Sequence, residues 1–170
     1  MLGSGPIEDW KSKRKERMNT DYFKKLLDYD FWANERMLTA MEATPNLAEE
    51  AAKKMSHVLK AKALWLSRLM PERVMGIIPD LLTPAAGRKL NQELQWIGGE
   101  YLSSLTDDRL SRKIAYKNLK GQAFVTALTD ILAQMVNHGT YHRGQVASLI
   151  KRSGGNPPET DYIAYARLAD

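Results

Sequence analysis

Residues 128–152, LTDILAQMVNHGTYHRGQVASLIKR, decide how this chain is read. Leu128, Ile131, Met135, His138, His142, Val146 and Leu149 recur at spacings of three and four, the period of one helical face. The stripe predicts a long helix from about Thr126 to Ser153, where Gly154-Gly155 supply a stop. Two histidines, one turn apart, take places that the period turns inward. Imidazoles at i and i+4 project side by side, close enough to hold one ion.

Working back toward the N-terminus, the same period recurs. Phe23, Leu27, Phe31, Leu38 and Met41 form a stripe that Asn34 shares, predicting a helix from Thr20 to the Thr44-Pro45 break. Asn46 followed by Glu49 reads as a capping box opening a second helix. That helix carries Met55, Val58, Leu59, Trp65, Leu66 and Leu69, with His57 along its apolar edge, and Met70-Pro71 closes it. Residues 71–87 read as a Pro- and Gly-containing loop whose apolar patch, Val74, Met75, Ile77, Ile78, Leu81 and Leu82, covers part of the core. A third helix follows, with Leu90, Leu94, Ile97, Tyr101 and Leu105 on one face and Gly98-Gly99 marking close packing or a bend.

Between Lys113 and Val125, two short segments around Asn118-Leu119-Lys120-Gly121 predict a hairpin. After the last helix an aromatic tail, Asp161-Tyr162-Ile163-Ala164-Tyr165, is expected to pack back. Trp32, Trp65 and Trp96 read as packing residues. The predicted fold is an all-α four-helix bundle with a short β-hairpin before its last long helix.

Length and composition agree. The chain has 170 residues, 44% hydrophobic and 26% charged, enough for one domain with a sizeable core. We take residues 18–170 as that domain and residues 1–17 as an unpatterned basic extension. The net charge of +5 raises a nucleic-acid reading. However, Lys11, Lys13, Arg14, Lys15 and Arg17 concentrate basic charge in the extension, and beyond it both signs are interspersed. No nucleic-acid partner is expected. No stretch has the length of a membrane span and no apolar signal core opens the chain, so a cytoplasmic location is expected.

The chain has no Cys, which excludes disulfides, a thiolate nucleophile and Cys-ligated metals. A metal would need nitrogen or oxygen ligands. The chain's histidines are His57, His138 and His142. Gly139 stands where the metalloprotease motif places Glu, so that chemistry is excluded. By pattern alone, His138 and His142 are either two ligands, with His57 as the natural third, or core imidazoles satisfied by hydrogen bonds.

Several neighbours carry two readings each. Asn34 is a ligand-binding or a core hydrogen-bonding residue. Gln134 and Gln145 either support the histidines or make contacts at the bundle edge. Tyr141 lines a pocket mouth or packs, and Asp161 orients a histidine or anchors the tail. Arg143 points about 100° from His142, toward a solvated or anion-binding role. No carboxylate pair, Ser-His-Asp arrangement or Gly-rich phosphate loop is present.

The segment VNHGTYHRGQ, residues 136–145, resembles the signature of the DinB/YfiT-like family of metal-dependent enzymes. The tail GNPPETDYIAY, residues 155–165, resembles that family's C-terminal segment, and YDFWAN, residues 29–34, its first helix. SHVL, residues 56–59, with Trp65 downstream, resembles the second helix. The likeness runs in order through residues 18–166.

The resemblance implies a four-helix bundle in which His57, His138 and His142 bind a divalent metal within a pocket. Zinc or nickel is the usual ion, with iron or manganese as alternatives. Some relatives carry a further histidine where this chain has Gln134. Characterised relatives include thiol-dependent S-transferases and a thiol-dependent isomerase. The expected function is therefore a metal-dependent transferase that activates a low-molecular-weight thiol for attack on an electrophilic small molecule. The alternatives are a metal-dependent hydrolase and a non-enzymatic metal-binding module. The resemblance also implies a homodimer.

Overall fold

The structure, a computed structural model, describes residues 19–73 and 76–168. The extension at residues 1–17, and Val74 and Met75 of the apolar loop, lie outside the described residues. Four long helices form the body: α1 (Thr20–Glu42), α2 (Glu49–Leu69), α3 (Pro84–Ser103) and α4 (Leu128–Arg152). A 3-10 turn (Asp107–Ser111), strands β1 (Lys113–Lys117) and β2 (Ala123–Ala127), and a short α5 (Tyr162–Ala166) complete it. The helical bundle with its hairpin is the expected fold.

Spatial neighbours do not follow chain order throughout the bundle. α1 lies along α3 and α4, while α2 lies along α4 and α3. The circuit is therefore α1–α3–α2–α4, and the consecutive pair α1 and α2 faces diagonally across the core. Phe23, Leu27, Met37 and Leu38 of α1 pack there with Met55, Leu59 and Leu66 of α2, Leu94 and Leu102 of α3, and Leu128, Ile131 and Val146 of α4.

Local signals explain most boundaries. Asn19 caps α1 by accepting from the Tyr22 N–H at 2.8 Å, and Thr83 caps α3 by accepting from Ala86 at 3.2 Å. Pro84 follows that cap, where its missing N–H costs nothing. Hence α3 begins inside the segment read as a loop. Asn46 is no capping residue: it has φ 54°, Ala48 precedes α2, and no side chain caps that helix. Its tolerance of the left-handed region suits the tight turn between α1 and α2.

The loop patch divides. Ile78 and Leu82 pack against the core, with the Leu82 N–H donating to Ser56 Oγ at 2.9 Å, whereas Ile77 and Leu81 are exposed. Gly98 fulfils the close-packing reading, because a Cβ there would come 3.1 Å from Leu27 Cδ1.

The hairpin pairs antiparallel from Lys113↔Ala127 to Lys117↔Ala123, so α4 starts two residues later than expected. It docks on α2 through Tyr116, whose ring meets Trp65 edge-on at 5.1 Å while the Arg68 guanidinium lies over both rings. Trp96 does not pack inward; it is 58% exposed beneath Arg73. The tail does pack back: Tyr29 donates to the Thr160 carbonyl at 2.9 Å, and Tyr29, Trp32, Tyr162 and Tyr165 form an aromatic cluster. Among the described residues no helix is long and apolar enough to cross a membrane.

Candidate metal centre

α2 and α4 bring the three histidines together along one seam. One ring nitrogen from each of His57, His138 and His142 lies within 4.8 Å of the others. His57 Nε2 and His138 Nε2 are 3.1 Å apart, and the ring centroids are 4.5 to 5.0 Å from one another. Two nitrogens bonded at about 2.0–2.1 Å to one tetrahedral zinc ion would stand about 3.3 Å apart, so the pair is spaced for a shared ion. A shared proton fits the same spacing. The third imidazole, that of His142, also brings a ring nitrogen within 4.8 Å of the other two, which a shared ion would engage and a proton shared by two rings would not.

The histidines sit at the rim of the seam, not on its innermost line. The buried line of α4 runs through Met135, Gly139, Arg143, Val146 and Ile150; His138 and His142 flank it on the α2 side. His57 is exposed and the other two are half-buried. The apolar-stripe reading thus placed the pair one helical position too deep. Its physical reason is Asp30, which occupies the space opposite Gly139 and draws Arg143 to the centre.

Burial, then the neighbouring charges of His142, Lys54 and Lys60, holds the His57 imidazole below its ordinary pKa. Burial, then His142 and His57, does the same for His138. Both shifts favour the neutral ring, the form with a lone pair to donate. His142 Nδ1 donates to Gln145 Oε1 at 3.1 Å, which leaves its Nε2 free as a ligand atom. A bond from the second ring nitrogen to an amide oxygen is the support that metal-binding imidazoles ordinarily have.

The remaining candidates separate clearly. Gln145 is hydrogen-bonded to His142. Tyr141 is 67% exposed and meets His142 edge-on at 5.0 Å, beside the triad's open side. Gln134 is exposed on α4. Asp161 is exposed, and its carbonyl accepts from Ala164 and Tyr165 in the first turn of α5.

Asn34 belongs to a different site. It is fully buried and bonded to Asp30, Asn91 and Arg143. Arg143 is likewise not solvated: it is 1% exposed and donates to Asp30 Oδ1, Asn34 Oδ1 and Thr140 Oγ1. Lys62 of α2, 2% exposed, donates to Asp30 Oδ2 at 3.0 Å. Asn91 of α3 closes the layer through Asn34 and Glu35. A polar layer with a member from each long helix thus crosses the core, and periodicity did not reveal it. Burial alone would push the Asp30 carboxyl up, but the Lys62 and Arg143 charges and hydrogen bonds outweigh it and hold the group below the ordinary carboxylate value.

Comparison with known proteins agrees with this fold. A family model described as the DinB family matches residues 18–170. The chain is similar to "Protein DinB" of Bacillus subtilis (strain 168), 22% identical over 162 residues that cover 86% of this chain and 94% of that protein. It is also similar in fold to a crystal structure of a DinB-like protein from Bacillus cereus, with a TM-score of 0.60 and 18% identity. That match covers 83% of this chain and 97% of the other.

Proposed function

Because this chain belongs to the DinB family, we propose that it is a divalent-metal-dependent transferase that joins a low-molecular-weight thiol to an electrophilic small molecule. The observation that carries the reading is the convergence of His57, His138 and His142 within 4.8 Å at a rim open to solvent. The three imidazoles would hold the ion, zinc or nickel by donor type, with iron or manganese as alternatives. A divalent ion held there supplies Lewis acidity, which makes a thiol or water a better nucleophile at neutral pH.

The residues around the triad serve that chemistry by placement. Gln145 fixes the tautomer and direction of the His142 ring. The depressed His57 and His138 pKa values keep both rings neutral where an ordinary imidazole begins to protonate. Exposure of His57 and Tyr141 leaves one side of the triad accessible, as a site that exchanges substrate requires and a closed structural site does not.

With no Cys in the chain, the sulfur must arrive with the substrate. The thiol sulfur would form a bond to an electrophilic carbon, the leaving group would depart with its electron pair, and the thiol proton would pass to solvent. The preference for a thiol over water follows the family resemblance; a metal-dependent hydrolase would use the same histidines.

The test mixes zinc- or nickel-loaded protein with a series of small thiols and a chromogenic electrophile. Wild type should accelerate conjugation with at least one thiol, and His138→Ala should not. Equal rates for the two proteins with every thiol, beside metal-dependent ester hydrolysis by wild type alone, would transfer the assignment to the hydrolase.

A further inference from the structure

Asp30 lies on α1, which supplies no histidine, yet its carboxylate touches both helices that do. Oδ1 accepts from Arg143 Nη1 of α4, and Oδ2 accepts from Lys62 Nζ of α2. Arg143 directly follows His142, and Lys62 comes five positions after His57. At about 1.5 Å of rise per residue, both cations sit within roughly 8 Å along the axis of the histidine on their own helix. The inner side of the α2–α4 seam is therefore bolted through Asp30 at nearly the height where its outer side carries the triad.

We infer that Asp30 is a positioning residue for the histidines: by pinning Lys62 and Arg143 to one carboxylate, it fixes the register in which His57 meets His138 and His142. The inference rests on the metal reading of the triad. An apolar seam tolerates small slips, because one methyl group substitutes for another. A carboxylate buried between two cations does not, since a shift would leave a charge unpaired in the core.

The turn bearing the histidines is fitted to this pin. Gly139 leaves room for Asp30 Oδ1 and Arg143 Nη1, which a Cβ would meet at 2.6 and 2.8 Å. Arg143 Nη2 reaches back to Thr140 Oγ1 at 2.9 Å, tying the guanidinium to residues between the two α4 histidines. A sliding step of one helical turn, about 5.4 Å, would exceed the whole span over which the three ligand atoms now converge.

Cobalt(II) titration of the metal-free full chain, read by visible absorption, tests this without an activity assay. Wild type should bind cobalt with an intense tetrahedral-type band, and His138→Ala should lose it. Asp30→Asn and Arg143→Lys, each confirmed as folded by circular dichroism, should bind at least tenfold more weakly and with a displaced band. Leu94→Ala, a core truncation on α3, should lower stability and leave cobalt affinity and spectrum unchanged. If Asp30→Asn does not fold, Arg143→Lys, which keeps the buried cation, decides alone. Wild-type affinity and spectrum in the folded variants, or equal weakening by Leu94→Ala, would overturn the positioning role. Failure of wild type itself to bind cobalt would overturn the metal reading beneath it, and that result appears in a separate arm.

Discussion

Gly139 faces Asp30 across the α1–α4 interface, with no room between them for a side-chain carbon. A Cβ on Gly139 would stand 2.6 Å from Asp30 Oδ1. Gly139→Ala must therefore push apart a buried ion pair, and it should cost about 1–3 kcal/mol by overpacking. Gly144, on the same helix, has nothing within 4 Å of its Cβ position. Gly144→Ala should add about 0.5–1 kcal/mol, since only helix propensity changes. Urea unfolding of the two variants measures both, and a destabilised Gly144→Ala would contradict the contrast.

Substitutions in the buried polar layer should rank by the charge they leave behind. Asp30→Asn strands two buried cations and should cost about 3–5 kcal/mol. Lys62→Met removes one cation while Asp30 keeps its bonds to Arg143 and Asn34, so it should cost less. Denaturant midpoints at constant slope give the order. The reverse order would show that Arg143 alone does not neutralise Asp30.

Acid should act on the same carboxylate. The folded pKa of Asp30 is depressed, so the unfolded chain takes up this proton first as pH falls. Its contribution to stability is fully present above the ordinary value of about 3.9 and is lost as pH falls through the folded value. The stability gap between wild type and Asp30→Asn should be constant above about pH 5 and shrink below about pH 4. A gap that widens toward acid would mean that Lys62 and Arg143 do not hold the folded pKa down.

Metal binding should be visible as stability. An ion at a hundredfold excess over its dissociation constant adds about 2.7 kcal/mol, and each kcal/mol moves Tm by about 2–4 °C in a chain of this size. Zinc or nickel should raise Tm by about 5–10 °C, a chelator should reverse the rise, and His57→Ala, His138→Ala and His142→Ala should each abolish it. An unchanged response in all three variants would place the ion elsewhere.

Much of this was legible from residue spacing. The three- and four-residue period gave the four helices, Asn118-Leu119-Lys120-Gly121 gave the hairpin turn, and the only three histidines in the chain pointed to one another. What spacing concealed has a common physical cause. A periodic pattern assumes that the innermost position of a helix is apolar, so it assigned His138 and His142 to the core and sent Arg143 outward. In fact Arg143 is buried because a partner 113 positions away, Asp30, neutralises it. Asn46 failed differently: the same side chain suits a helix cap and a left-handed turn, and only the backbone at φ 54° distinguishes them.

The circuit of helices has a bearing on how the chain reaches this structure. Because α1 and α2 face each other diagonally, the first half of the chain has no helical hairpin to form on its own. α1 finds side-by-side partners only in α3 and α4, and its ionic clasp to Arg143 closes across most of the sequence. Loop closure over such distances slows the search, even in an all-helical protein. During synthesis the apolar faces of α1 and α2 would stay uncovered until α3 emerges, and the histidine cluster could assemble only after α4 has left the ribosome.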